Sequence, residues 1–129
     1  MSAEEIAAVL AKPIDAIIGL NRREGGPQLT PVWFLWDGTY FWFTTSRKRA
    51  KYPNLRRDPN MSVIVDDPQS HKYIAAYGLA KIITDNVADL MWPILKKYTP
   101  ADQLGKWTAT TQDPARVVIQ LKPDKIVTN

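Results

Sequence analysis

The stretch Leu29–Arg57, LTPVWFLWDGTYFWFTTSRKRAKYPNLRR, decides how the chain is read. It holds two aromatic strands, Gln28–Trp36 and Tyr40–Phe43, on either side of Asp37-Gly38. An Asp-Gly pair between apolar runs is a strong hairpin signal, because both central residues of a type I′ turn take positive φ. Both parities of Val32-Trp33-Phe34-Leu35-Trp36 are apolar. A strand with one wet face would alternate, so these strands are expected to be covered on both sides. One face should fill a barrel. The other should meet a second subunit, a flat ligand, or both.

The returning strand runs into hydroxyls and cations: Thr44, Thr45, Ser46, Arg47, Lys48, Arg49 and Lys51. Proline costs roughly 3 kcal/mol inside a helix and little at its first position. The helix before Asp58-Pro59 is therefore expected to start near Tyr52, with Pro53 tolerated and RKRAK in the turn leading in. Hydroxyls, cations and free backbone N–H groups then converge at a helix start, an arrangement that suits a phosphate. A charge run alone would read as a solvated loop. The hydroxyls before it and the aromatic strands beside it favour a site.

Working outward, Ser2–Glu5 reads as a capping box. Ile6, Val9 and Leu10 continue a helix that Pro13 stops. Ile14–Asn21 is a β-branched strand, and Arg22–Pro27 a turn. Met61–Asp66 is a strand ended by Asp67-Pro68, and Lys72–Thr84 a longer one with Gly78 as a bulge. Asn86 is expected to cap a helix with Val87, Leu90, Met91, Ile94, Leu95 and Tyr98 on its core face, kinked or divided at Pro93. Thr99–Pro114 reads as irregular, with Trp107 either packed down or closing over a ligand. Ala115–Leu121 and Lys125–Thr128 are strands joined at Lys122-Pro123-Asp124. Seven mostly antiparallel strands with short helices predict one α+β domain over residues 1–129, centred on a β-barrel.

The formal net charge of +4 favours anionic partners without choosing among phosphate, nucleic acid and a membrane surface. No cysteine and a single histidine remove disulfides and thiolate chemistry and argue against a zinc site. No apolar run approaches the roughly 18 residues that a spanning helix needs. Glu4 and Glu5 do not suit the basic start of a signal peptide. A cytoplasmic protein without a membrane partner is expected. No GxSxG, HExxH, Walker or GxGxxG motif is present. His71 lies in a loop and reads as solvated. Asp66 and Asp67, adjacent on a strand, should point to opposite faces and cannot work as a pair. Binding groups thus outnumber catalytic ones, which fits chemistry carried by a bound cofactor. Binding of single-stranded nucleic acid would need exposed aromatics, whereas these runs read as buried.

The pattern P-V-W-F-x-W-D-G, W-F-T-T, R-A-K, N-L-R-R-D-P and V-D-D-P resembles the pyridoxamine-phosphate-oxidase-like split β-barrel superfamily. Within it, the chain is similar to the B branch of the flavin/deazaflavin oxidoreductases, over Ile14–Val127. The resemblance implies a homodimer with two cofactor sites at the subunit interface. It implies that Arg49 and Lys51 hold the cofactor phosphate, helped by Thr44, Thr45 and the Ala50 backbone. Gln28, Thr30, Pro31 and Val32 would line the ring. Tyr73, or less readily His71, would bring an aromatic or imidazole group near it, often from the other subunit. Two positions depart from the relatives: Pro53 replaces a helix-compatible residue, and His71 replaces a tryptophan that some carry. The implied activity is that of a coenzyme F-420-dependent reductase, passing hydride from reduced deazaflavin to an electron-poor small molecule such as an enone. FMN is the alternative cofactor, because the same fold and cradle serve both. A non-catalytic flavin-, haem- or tetrapyrrole-binding protein is the other alternative. Arg22, Arg23, Lys48 and Arg56 are candidate cations for the anionic tail of F-420.

Overall fold

A corner at Trp33-Phe34 sets the architecture of the computed structural model, which describes residues 1–129. The expected strand Gln28–Trp36 is broken there into β2 (Gln28–Val32) and β3 (Leu35–Trp36). With β1 (Ala16–Leu20), β4 (Phe41–Ser46), β5 (Asn60–Asp67), β6 (Lys72–Ile83) and β7 (Arg116–Thr128) they form one antiparallel sheet in the order β2-β1-β5-β6-β7-β4-β3. Its two edge strands are therefore neighbours in sequence. Laid flat, the six strand spacings would part the edges by roughly 29 Å. The chain from Val32 to Leu35 reaches at most about 11 Å. The sheet must curl until its edges nearly meet, which makes the split barrel. The corner was invisible in the sequence because an apolar run of both parities carries no register signal.

The inner face forms the core. β5 alternates buried and exposed residues throughout, with Met61, Val63, Val65 and Asp67 inward. Phe34, Phe41 and Phe43 are fully buried at the closed side, where replacing any one by alanine should cost about 3–5 kcal/mol. Helix α1 (Ala3–Leu10) starts with the expected capping box, in which Ser2 Oγ accepts from Glu5 N at 3.1 Å and Glu5 Oε1 from Ser2 N at 3.2 Å. The C-terminal end of α3 (Val87–Tyr98) holds the corner. Tyr98 Oη accepts from Phe34 N at 3.2 Å and donates to Ile14 O at 2.8 Å. Lys97 Nζ donates to Leu10 O at 2.8 Å and Phe34 O at 3.1 Å. Burial pushes the Tyr98 hydroxyl up to about 12, so it remains a donor.

Several expectations need correction. The hairpin at Asp37-Gly38 exists, but Gly38-Thr39 is its centre: Asp37 N donates to Tyr40 O at 3.2 Å. Only Gly38 has positive φ, the pattern of a type II′ turn. Asn86 occupies the N-cap position of α3 without a side-chain bond; its φ of 55° is one that asparagine tolerates. Pro93 does not divide α3, because it lies on the exposed side, where water can serve the freed carbonyl. Thr99–Pro114 is largely helical, as a 3-10 turn (Ala101–Trp107) and α4 (Thr108–Gln112). The last two strands are one, β7. The expected bulge at Gly78 occurs, with Gly78 opposite Pro123 and Tyr77 opposite Lys125, so Asp124 is the extra residue and the proline needs no ladder partner. A Cβ on Gly78 would stand 2.5 Å from Lys122 O. Seven strands were expected and seven are found, but one expected strand is split and two are merged. No helix is long and apolar enough to cross a membrane.

Candidate functional site

Alternation along β4 sends Phe41, Phe43 and Thr45 inward and Trp42 and Thr44 to the other face. That second face was expected to meet a subunit or a ligand. Much of it is covered instead by α3, whose Met91 and Leu95 pack with Trp33, Trp42 and Val118. Covering stops short of the strand's end, and a cavity of about 350 Å³ opens there. Its volume suits a small molecule.

One half of the cavity is cationic. The antiparallel pairing of β4 with β7 sets Ser46 opposite Arg116 and Thr44 opposite Val118. Arg116 Nη2 donates to Thr44 Oγ1 at 3.0 Å, and that hydroxyl donates to Val117 O at 2.9 Å. After β4 the chain turns tightly, with Arg49 N on Ser46 O at 3.0 Å and Lys48 N on Ser46 Oγ at 3.2 Å. Arg47 is drawn away, its N donating to Ala115 O and its Nη1 to Pro114 O, each at 2.8 Å. Helix α2 (Lys51–Arg57) begins one residue before the expected start. Pro53 is its third residue, where the missing N–H is among the first four that no helix satisfies. Lys51 and Arg49 thereby face Arg116 across the cavity.

These three cations lack carboxylate partners: the chain's two ion pairs are Lys12–Asp67 and Lys72–Glu5. Burial, then the charges of Arg49 and Arg116, pull the Lys51 ammonium below its usual range. Burial lowers Arg116 as well, with Asp113 working against the shift and Arg49 adding to it. Two buried side-chain atoms have no hydrogen-bond partner, Thr45 Oγ1 and Arg116 Nε, and both residues line this cavity. Thr45 turns its side chain inward, whereas Arg116 shares the face of Thr44. Buried polar atoms are nearly always paired, so the orphaned Arg116 Nε marks unused binding capacity.

The other half is apolar: Val32, Trp33, Met91, Ile94, Leu95 and Trp107. Trp33 stacks on Tyr98 at 4.7 Å with planes 2° apart, and Trp107 meets Trp33 edge-on at 5.7 Å. Trp107 is held by its Nε1 donating to Thr99 Oγ1 at 3.0 Å. It is thus packed down and lines the cavity at once. The apolar face of α3 is likewise both core and cavity wall.

Of the residues expected at a site, Val32, Thr44, Thr45, Arg49 and Lys51 line this cavity together with Trp107. Ala50 lies between the two cations as the residue before α2. Thr30 shares the face of Val32 without lining the cavity, and Pro31 is exposed on the opposite face. Gln28 Oε1 accepts from Asn54 Nδ2 at 2.9 Å, tying β2 to α2. Tyr73 is not brought to the cavity within one chain. It is the second residue of β6, opposite Asp66, and its N donates to Asn129 Oδ1 at 2.8 Å. His71 sits in that loop at φ 59°, its carbonyl accepting from Asn129 Nδ2 at 3.1 Å. Sequence reasoning missed Arg116, Thr110 and Trp33 as cavity residues. The signal for Arg116 is a lone arginine heading the apolar run Arg116–Leu121.

Asp66 and Asp67 do point to opposite faces: Asp66 is exposed and Asp67 buried. Asp67 is fully partnered, by Lys12 at 2.5 Å, Ser70 Oγ at 2.7 Å and Gln69 N at 3.0 Å. No three His, Cys, Asp or Glu side chains gather to hold a metal. The titratable groups lining the cavity are all cations. The arrangement can bind and orient an anion joined to a flat apolar body. It offers no carboxylate or imidazole for acid–base work.

Solved structures share this fold. An F420 reductase is 28% identical, aligned over 93% of this chain and 94% of that one, with a TM-score of 0.76. The conserved hypothetical protein Rv2991 of Mycobacterium tuberculosis is 23% identical over 99% of this chain and 84% of that one, with a TM-score of 0.83. General Stress Protein 26 of Bacillus anthracis is 23% identical over 98% and 92%, with a TM-score of 0.75. The family model described as pyridoxamine 5'-phosphate oxidase matches residues 2–129. With that match spanning almost the whole sequence around one anion-ready cavity, the chain belongs to the pyridoxamine 5'-phosphate oxidase family.

Proposed function

We propose that the protein is an oxidoreductase that uses a flavin-type cofactor, specifically the deazaflavin coenzyme F-420, to reduce an electron-poor small molecule. One observation carries this reading. Three cations without carboxylate partners, one of them with an orphaned buried donor, line a cavity whose other half is aromatic. Those residues fit a phosphate joined to a flat ring. The 28% identity to an F420 reductase over nearly the full length supports the choice of cofactor.

Arg49 and Lys51 bind the phosphate, with Thr44, Thr45 and the Ala50 backbone beside them. Val32 and the end of β2 lie along the ring, and Trp33 and Trp107 exclude water from it. When bound, the reduced cofactor supplies the hydride. The chain's own part is placement and electrostatics, since no carboxylate or imidazole lines the cavity. FMN fits the same cations, and the missing acid and base fit a protein that only holds its cofactor.

A homodimer completes the proposal. The outer face of β2-β1-β5-β6 exposes Ile17, Ile64, Tyr77 and Leu79 in adjacent strands, with Leu29 67% exposed. Contiguous apolar surface of this kind marks an interaction face. A second subunit packed there would cover it and could bring Tyr73 toward the neighbouring cavity.

Calorimetric titration of the purified protein with F-420 and with FMN tests the cofactor. Micromolar or tighter binding of F-420 with weak FMN binding is the expected result. The reverse preference makes it a flavin enzyme, and binding of neither rejects the proposal. Steady-state turnover of reduced cofactor with a panel of enones separates an enzyme from a carrier. Light scattering on the eluting protein reads the dimer directly.

A further inference from the structure

The geometry points to Arg116 as a third phosphate-binding residue, one that lets the protein distinguish phosphorylated cofactors from their phosphate-free counterparts. This rests on the cofactor reading of the cavity and adds a residue from the neighbouring strand β7.

Arg116 opens β7, far in sequence from the turn that carries Arg49 and Lys51. Its guanidinium is fixed at one end by Nη2 on Thr44 Oγ1 at 3.0 Å. The Thr44 hydroxyl is fixed in turn, because its hydrogen goes to Val117 O at 2.9 Å. The fork is thus held against the sheet while Nε, buried, has nothing to donate to. Thr45, only 3% exposed and lining the same cavity, has an equally unused hydroxyl. An orphaned charged donor held beside the cations of Arg49 and Lys51 asks for an anionic acceptor with more than one oxygen.

Charge leads the same way. Asp113 is the one carboxylate that acts on Arg116, and its Oδ1 already accepts from Ala115 N at 2.9 Å. The repulsion among Arg49, Lys51 and Arg116 therefore persists in the free protein. A phosphoryl group would relieve it and give Arg116 Nε an acceptor. Arginine suits the position, since its planar fork matches phosphate oxygens in a way that a lysine ammonium cannot. The phosphoryl group can be the monoester of FMN or the diester of F-420, and the choice of ligand tells them apart.

The test is calorimetry on the full chain with four ligands: FMN and riboflavin, F-420 and its phosphate-free deazariboflavin. Arg116→Met should weaken binding of whichever phosphorylated cofactor the wild type prefers by about tenfold to a hundredfold. Its affinity for the phosphate-free counterpart should not change. Arg116→Lys should fall between, and it decides the matter if the methionine variant does not fold. The unliganded variant should melt no lower than the wild type, because like-charge repulsion is removed. Equal losses for phosphorylated and phosphate-free ligands, or no loss while the wild type binds, would overturn the role of Arg116 and leave the cofactor reading intact. A wild type that binds none of the four would bring both down.

Discussion

Two charged clusters in this molecule use similar residues to opposite ends. Around Asp67, a lysine, a hydroxyl and a backbone N–H meet one buried carboxylate, and every group is satisfied. Around Thr45, three cations and two hydroxyls converge with no carboxylate in an ion pair, and two buried atoms go unused. The first cluster pins the turn after α1 to the β5–β6 loop. The second holds charge in readiness. A charge cluster that holds a fold together closes on itself, whereas one that binds a ligand keeps open valences.

The contrast can be broken from either side. Among variants of the two clusters, Asp67→Ala should change stability most, lowering Tm by several degrees, because it leaves Lys12, Ser70 and Gln69 N without their shared acceptor. Cofactor affinity should not change; a variant that folds normally and binds poorly would refute the division of labour. Arg49→Ala should act in the opposite sense, weakening phosphorylated-cofactor binding by about tenfold to a hundredfold with Tm held or raised. Calorimetry and thermal melts on the same sample read both. Trp107→Ala removes one aromatic wall and should cost roughly twofold to tenfold in affinity, whether or not the ligand carries phosphate.

The smallest effects are those of pH. Lys12, Ser70 and the Gln69 N–H hold Asp67 down to about 2, against an ordinary 3.8. Its contribution is complete above the unfolded value and is lost as pH falls through that window. Asp67→Asn should flatten the acid limb of a Tm–pH curve. Lys97 gives a pH dependence of the same sign at the alkaline end, for the opposite reason, since here folding disfavours the charged form. Burial brings it down to about 8 from 10.5, so folding disfavours its proton. The wild type should gain stability relative to Lys97→Met as pH rises through that interval. A constant difference across it would show that Lys97 titrates normally.

Elements with a clean period were legible in the sequence. The capping box of α1, the strands β1, β5 and β6 and the Gly78 bulge follow from local pattern. Non-local features did not. The corner at Trp33-Phe34 lies inside an apolar run of both parities, and Pro123 reads as a breaker until the bulge beside it at Asp124 is known. The 3-10 turn and α4 lack an apolar stripe. The candidate site divides in the same way. Val32, Thr44, Thr45, Arg49 and Lys51 were accessible as one contiguous region and a resemblance. Arg116 joins them only through the pairing of β4 with β7.

That pairing has a practical consequence for changing what the cavity accepts. The cations sit on β4, the turn into α2, and β7. The apolar wall, Trp33 and Val32 apart, comes from residues 91–107, all within the connection between the paired strands β6 and β7. The wall residues of this connection can be varied without breaking any hydrogen bond of the sheet, provided that Lys97 and Tyr98, which hold the corner, are kept. Libraries on residues 91, 94, 95 and 107 would vary the acceptor side of the cavity while its anchoring side stays constant.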